Sequence, residues 1–170
     1  RQIESANLPD DVQLMVQALK SISKYINLGN AGTAMRFLTA FYAIQEGRTV
    51  ILNGNEAMRK RPIYPLVDAL NLLGAEIVYT GEVGFPPLKI TGKKLSGGTV
   101  EVEGDVSSQF VSALMLIGSF LENGIEINLT EKVVSASYIS LTAELINQSG
   151  GQVSVGQDRI DIKSSTLNPQ

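Results

Sequence analysis

Apolar positions along this chain switch repeatedly between a helical and an extended period. Val12, Met15, Val16 and Leu19 recur at helical spacing behind Asp10, a good N-cap with Gln13 three residues on, and predict a first helix. A short link leads to Leu28–Arg36, reading LGNAGTAMR, and a second helix is predicted from about Thr33 through Met35, Leu38, Phe41 and Ile44 to Gln45, with Gly47 as its C′ residue. Thr49–Leu52 predicts a short strand, followed by a polar turn at Asn53, Gly54 and Asn55. Pro62 fits the first turn of another helix, whose apolar face is Ile63, Leu66, Val67 and Leu70 and whose end is Gly74. Ala75–Thr80 reads as a strand. From Phe85 to Val102 the residues alternate around Pro86, Pro87 and a Gly97, Gly98 turn, which predicts a pair of strands.

From about Asp105 the order recurs. Val106, Ser107, Ser108 and Gln109 lead a helix through Phe110, Ala113, Leu114 and Ile117, and Gly124 closes it. Ile125–Leu129 is a strand, Tyr138, Ile139 and Leu145 mark a further helix ending at Gly150 and Gly151, and Val153–Val155 and Ile160–Ile162 are strands. Gly47 meets Gly124 at an offset of 77, and Ile63, Gly74 and Ile77 meet Ile139, Gly150 and Val153 at an offset of 76. The pattern is an internal repeat of order βαβαββ, and Gln17, Ala18 and Leu19 resemble Asp68, Ala69 and Leu70 as the remnant of an earlier copy. Each copy alone is too small to bury its sheet and helices, so the units are expected to share one core in an α/β fold.

With 170 residues, 44% of them apolar, the chain has enough material for one such core. It has no cysteine and no histidine, which removes disulfides, thiolate ligands and the commonest acid/base group near neutral pH. Proton transfer here must use Asp, Glu, Lys or Tyr. A net charge of −3 gives no general attraction to nucleic acid, leaving local cationic groups, chiefly Arg59, Lys60 and Arg61, as candidates for a small anion. No apolar run approaches the roughly 20 residues of a membrane span, and the N-terminus lacks the regions of a signal peptide, so a soluble cytoplasmic protein without a membrane partner is expected. The chain opens on Arg1 without an initiator methionine and reads as a piece of something longer.

The candidate chemistry gathers at the predicted helix starts. In LGNAGTAMR, Gly29 and Gly32 let the backbone approach a ligand closely, and the first helical N–H groups lack internal partners and sit at the positive end of the dipole. An anion is welcome there, with Asn30 and Thr33 as side-chain donors and Arg36 as a fixed charge one turn on. The plainer reading is a glycine turn with Thr33 as N-cap. The second copy offers Ser107, Ser108 and Gln109 at the equivalent helix start, which serve equally well as helix caps. Arg61 can grip a carboxylate or phosphate through two parallel hydrogen bonds, or the Arg59–Arg61 cluster is a solvated turn. Ser135, Ser137 and Tyr138 begin the last helix and can orient hydroxyls or phosphate oxygens, while Tyr138 alone also suits the edge of a core.

Four stretches taken together carry a family resemblance: LGNAGTAMR at Leu28–Arg36, RKRPI at Arg59–Ile63 with VDAL at Val67–Leu70, DVSSQF at Asp105–Phe110, and VSASYI at Val134–Ile139. In this order and approximate spacing, and with DDVQLM at Asp10–Met15, they resemble the EPSP synthases, the 3-phosphoshikimate 1-carboxyvinyltransferases, over nearly all of the chain. The resemblance implies transfer of the enolpyruvyl group from phosphoenolpyruvate to the 5-hydroxyl of shikimate 3-phosphate, by addition and elimination, without metal or organic cofactor. It places Asn30, Gly32, Thr33, Arg61 and Gln109 near phosphoenolpyruvate, and Ser107, Ser108, Gln109, Ser135 and Tyr138 around shikimate 3-phosphate. It implies one domain of the enolpyruvyltransferase fold across 1–170, with an incomplete first unit at 1–27, a second at 28–104, a third at 105–163 and a tail at 164–170. Nucleic acid and membranes are not among the implied partners.

The departures from the family pattern are as informative. The resemblance covers most of one of two similar domains, each of three βαβαββ units, that close on substrate. The family's amino-terminal Lys-Ser and Arg motif and the facing domain's catalytic residues have no counterpart here, so the expected partner is a second domain of the same polypeptide and the chain alone is expected to be inactive. The link between Leu19 and Leu28 is too short for the family's strand pair, and Phe37 stands where many members have proline. UDP-N-acetylglucosamine enolpyruvyltransferases share the repeat, but usually carry a reactive cysteine loop and lack the SSQF pattern. A non-catalytic anion-binding module, with glycine loops serving packing alone, is the reading from outside enzymology.

Overall fold

The computed structural model describes residues 8–103, 107–130 and 136–165. The first helix, α1, spans Asp10–Lys20. Its N-cap position is occupied by Pro9 and has no side-chain cap, so Asp10 is not the cap expected. Asp10 and Asp11 instead lie in the first turn, where their charge complements the helix dipole. Two units of order βαβαββ follow. The first comprises β1 (Tyr25–Asn27), α2 (Gly32–Ala43), β2 (Thr49–Asn53), α3 (Tyr64–Leu72), β3 (Glu76–Tyr79) and β4 (Leu88–Thr91). The second comprises β5 (Gly98–Val102), α4 (Ser108–Gly118), β6 (Ile125–Leu129), α5 (Ala136–Gln148), β7 (Gln152–Val155) and β8 (Arg159–Lys163). In α3 it is Pro65, not Pro62, that occupies the first turn, since Ile63 is the N-cap.

Each unit builds its own four-stranded sheet, in the orders β1-β2-β4-β3 and β5-β6-β8-β7. In both, the first two strands run parallel and the third neighbour runs antiparallel to those on either side. Register follows the apolar alternation: Leu52 pairs with Ile26 and Leu88, and Ile127 pairs with Val100 and Ile160. The expected pairing of the strands on either side of Gly97 and Gly98 is corrected here. Both strands exist, but β4 belongs to the first sheet and β5 opens the second. Alternation announces a strand but does not choose its partner, and β5 finds a parallel partner in β6 beyond α4.

The centre is layered as sheet, α2, α4, sheet, with α3 packed on both central helices, α5 on α4 and α1 on α2. A helix covered on two sides must be apolar nearly all round, and in α4 Phe110, Val111, Ala113, Leu114, Met115 and Ile117 are all buried. Buried residues of both units form one cluster. Leu38 of α2 and Leu114 of α4 are each fully buried, so either change to Ala should lower unfolding free energy by about 2–5 kcal/mol, read by denaturant titration. Two polar contacts fix the flanking helices. Tyr42 Oη donates to Ala18 O at 2.7 Å while Arg48 lies over the Tyr42 ring and donates to Ser21 O, which ties α1 to α2. Thr142 Oγ1 donates to Tyr138 O at 2.9 Å, so its contact with Ser112 Oγ at 2.9 Å takes the proton from Ser112 and pins α5 to α4. Among the described residues no helix is long and apolar enough to cross a membrane.

Tyr79 on β3 buries its hydroxyl without a hydrogen-bond partner among the described residues. Burial, reinforced by the Asp68 carboxylate, pushes its phenol up to about 12. The neutral form is therefore favoured on folding, and that preference is lost as pH rises through the window from the unfolded value near 10 to about 12. Tyr79→Phe should melt no lower than the parent at pH 7, because no made hydrogen bond is removed, and should show a smaller loss of stability above pH 10.

Candidate functional site

Because α2 and α4 are the structural twins at the centre of the fold, their packing brings their N-termini together. Gln109, in the first turn of α4, donates through Nε2 to Thr33 Oγ1 at 2.9 Å, and its Oε1 accepts from Arg36 Nη1 at 3.0 Å. One carboxamide thus joins both units, with its orientation fixed by one donor and one acceptor. Thr33 does not cap α2. Ala31 holds the N-cap position without a side-chain bond, and the Thr33 hydroxyl faces the other unit instead.

Arg61 reaches the same place from a different segment. The polar turn after β2 leads into a 3₁₀ turn, Met58–Lys60, and the next residue is Arg61. A β-carbon added at Gly32 would lie 2.8 Å from Arg61 Nη1 and 2.9 Å from Arg36 Nη1, so both guanidinium groups rest against the bare backbone at the start of α2. The absence of a side chain at Gly32 is what lets both groups lie there. Arg36 also lies over the Phe110 ring, 5.2 Å from its centroid. Its half-buried guanidinium is pushed below its ordinary value first by burial and then by the neighbouring Arg61 charge, though an arginine stays protonated at any working pH.

Two like charges held together at the positive end of a helix repel one another and the helix dipole alike. Among the described residues, no carboxylate forms a salt bridge with either Arg36 or Arg61, and Arg36 Nε is buried with no hydrogen-bond partner. An anion supplies the missing counter-charge and relieves the repulsion. The hollow enclosed by Gly32, Met35, Arg36, Met58, Arg61 and Pro86 measures about 10 Å³, room for no more than about one water, so a ligand must meet the guanidinium groups from their solvent side. A larger hollow of about 590 Å³ between α5 and β7, lined by Ser140, Glu144, Asn147 and Gln148 among others, holds no cation and does not suit an anion.

Gly32, Thr33, Arg61 and Gln109 are therefore gathered at one point. Asn30 lies exposed in the turn just before α2, and its side chain makes no hydrogen bond among the described residues. Ser107 is the N-cap of α4, its hydroxyl accepting from Gln109 N at 3.4 Å, and Ser108 is the first helical residue. Tyr138 is half-buried in the first turn of α5. Ser135 lies outside the described residues. Arg36 is what sequence reasoning left out of the ligand set, having read it only as a charge on the helix. The available signal was its spacing, four residues from Gly32 and so on the same face of α2.

The two βαβαββ units around one core have the fold of enolpyruvyl transferases. The structure resembles the enolpyruvyl transferase NikO from Streptomyces tendae at a TM-score of 0.50 and 15% identity, over 77% of this chain and 29% of that one, which bears on the fold alone. It resembles EPSP synthase from Acinetobacter baumannii at a TM-score of 0.73 and 27% identity, over 86% of this chain and 32% of that one. Residues 7–170 match the EPSP synthase (3-phosphoshikimate 1-carboxyvinyltransferase) family, and the chain belongs to it. The 3-phosphoshikimate 1-carboxyvinyltransferase of Bacteroides fragilis strain YCH46 is 45% identical over 161 residues, covering 95% of this chain and 38% of the relative. That of Korarchaeum cryptofilum is 35% identical over 152 residues, covering 89% and 33%. The chain thus spans between a third and two fifths of the length of these relatives.

Proposed function

We propose that this chain supplies one wall of an active-site cleft in which an enolpyruvyl group passes from phosphoenolpyruvate to the 5-hydroxyl of shikimate 3-phosphate. The observation that carries the reading is the pair of guanidinium groups, Arg36 and Arg61, against Gly32 at the start of α2, neither in a salt bridge among the described residues. Phosphoenolpyruvate offers a carboxylate and a phosphate to that pair and to the amide groups of Gly32 and Thr33, with Asn30 as a further donor. Gln109 stands between the two substrates because it already bridges the two units. Ser107, Ser108, Ser135 and Tyr138 take shikimate 3-phosphate on the α4 and α5 side, the hydroxyls directed at its phosphate.

Catalysis of this kind depends on positioned charge in a dry, closed cleft, and Arg61 here is exposed. The other wall comes from a second domain of the same polypeptide. The chain by itself therefore binds weakly and turns nothing over. Incubating it with phosphoenolpyruvate and shikimate 3-phosphate should release no inorganic phosphate, whereas release would overturn the assignment of half a site. Titration with shikimate 3-phosphate at millimolar concentration should move the amide resonances of Ser107, Ser108 and Tyr138. Movement elsewhere only would remove these residues from the site.

A further inference from the structure

The glycine loop and Arg61 lie on opposite sides of β2 in sequence, and the turn after β2 is bonded to both. On the loop side, Leu28 N–H donates to Asn53 O at 2.8 Å and Asn55 N–H donates to Gly29 O at 2.8 Å. On the arginine side, Asn55 Oδ1 accepts from Met58 N–H at 3.0 Å and Asn55 O accepts from Arg59 N–H at 3.1 Å. Those bonds start the 3₁₀ turn, and Arg61 N–H closes it by donating to Met58 O at 3.0 Å. Between the two sides Gly54 admits no side chain, since a β-carbon there would lie 2.5 Å from Met58 Cβ and 2.7 Å from Gly29 O.

We propose that Asn55 is a positioning residue for the anion site. Its backbone N–H holds the glycine loop, its side-chain oxygen holds the turn that delivers Arg61, and the placement of the Arg61 guanidinium against Gly32 is set through it. Asn55 is solvent-exposed and contributes no apolar packing. What it supplies is an acceptor for a backbone N–H three residues on, a role that Ser also fills and Ala does not. The inference rests on the reading of Gly32, Arg36 and Arg61 as the anion site.

The test uses Asn55→Ala and Asn55→Ser in this chain, with phosphoenolpyruvate as probe and two readouts. Without ligand, nuclear Overhauser contacts between the Arg61 side chain and Gly32 Hα should vanish in Asn55→Ala and persist in Asn55→Ser. With ligand, affinity should fall about fivefold to tenfold in Asn55→Ala, the range a lost cap converts to, and return to near the parent value in Asn55→Ser. In an Arg61→Ala background the Asn55→Ala change should cost no further affinity. Retained Arg61–Gly32 contacts in Asn55→Ala, or a Ser variant that behaves like Ala, would overturn the proposal. If the parent chain shows no phosphoenolpyruvate binding, the site reading fails on that arm, while the ligand-free contacts still decide the role of Asn55.

Discussion

Gly32→Ala should weaken phosphoenolpyruvate binding by about tenfold or more without lowering the stability of the fold. The two effects separate because of what the added methyl group meets. Its nearest neighbours are Nη1 of Arg61 at 2.8 Å and Nη1 of Arg36 at 2.9 Å, the ends of two flexible side chains, which swing away at little cost. Gly32 is a helical residue outside the set of positive-φ glycines, so Ala adopts its conformation and gains up to about 1 kcal/mol of helix propensity. What is lost is the geometry of two charged donors, each worth about 1.5–3 kcal/mol to an anion when well placed. Calorimetric titration and a thermal melt on one preparation check both halves. Unchanged affinity would mean that the guanidinium groups do not meet the ligand where they meet Gly32.

Arg61→Ala should have the larger effect on chemistry, reducing kcat/KM for phosphoenolpyruvate in the intact protein by on the order of a hundredfold, as expected for removing a bidentate charged partner. Arg61→Lys should recover only part of that, because a point charge does not reproduce the planar fork. The fold should survive, since Arg61 is exposed and makes no salt bridge among the described residues. Relief of Arg36 predicts the opposite sign for stability. At low ionic strength the unliganded variant should melt as high as the parent or slightly higher, and the extra stabilisation that phosphate gives the parent over chloride should be lost. A parent that gains nothing from phosphate would argue that the two charges are screened by water alone.

Much of this fold was legible because its strands and helices obey simple periods. Ile125–Leu129 alternates perfectly and is a strand over that span, and Gly74, with positive φ, follows the C-cap Leu73 of α3 as a C′ glycine should, whereas α2 ends earlier than expected, at Ala43 with Ile44 as C-cap, and Gly47 lies in the turn beyond it. The repeat of order βαβαββ could be read from spacing alone. Pairing could not. Gly97 and Gly98 look like a hairpin turn, yet β4 and β5 part into separate sheets, because partner choice depends on where α4 returns the chain. β1 is three residues, Tyr25–Asn27, too short to show any period. Local capping logic also misled at Thr33, whose hydroxyl is taken by Gln109, 76 residues on. The candidate site was legible as a set of helix starts, which any anion-binding fold presents. Its geometry was not, since Arg36, Arg61 and Gln109 meet only after α2 and α4 have packed.

The most direct test of the anion site at the start of α2 is a nitrogen-15 NMR titration of this chain with phosphoenolpyruvate. It follows the Gly32 and Thr33 amides, the Gln109 side-chain amide and the Nε–H groups of Arg36 and Arg61. These five should move together and saturate along one curve at millimolar ligand. Resonances that stay fixed at these positions, while the ligand perturbs other surfaces or none, would contradict the account.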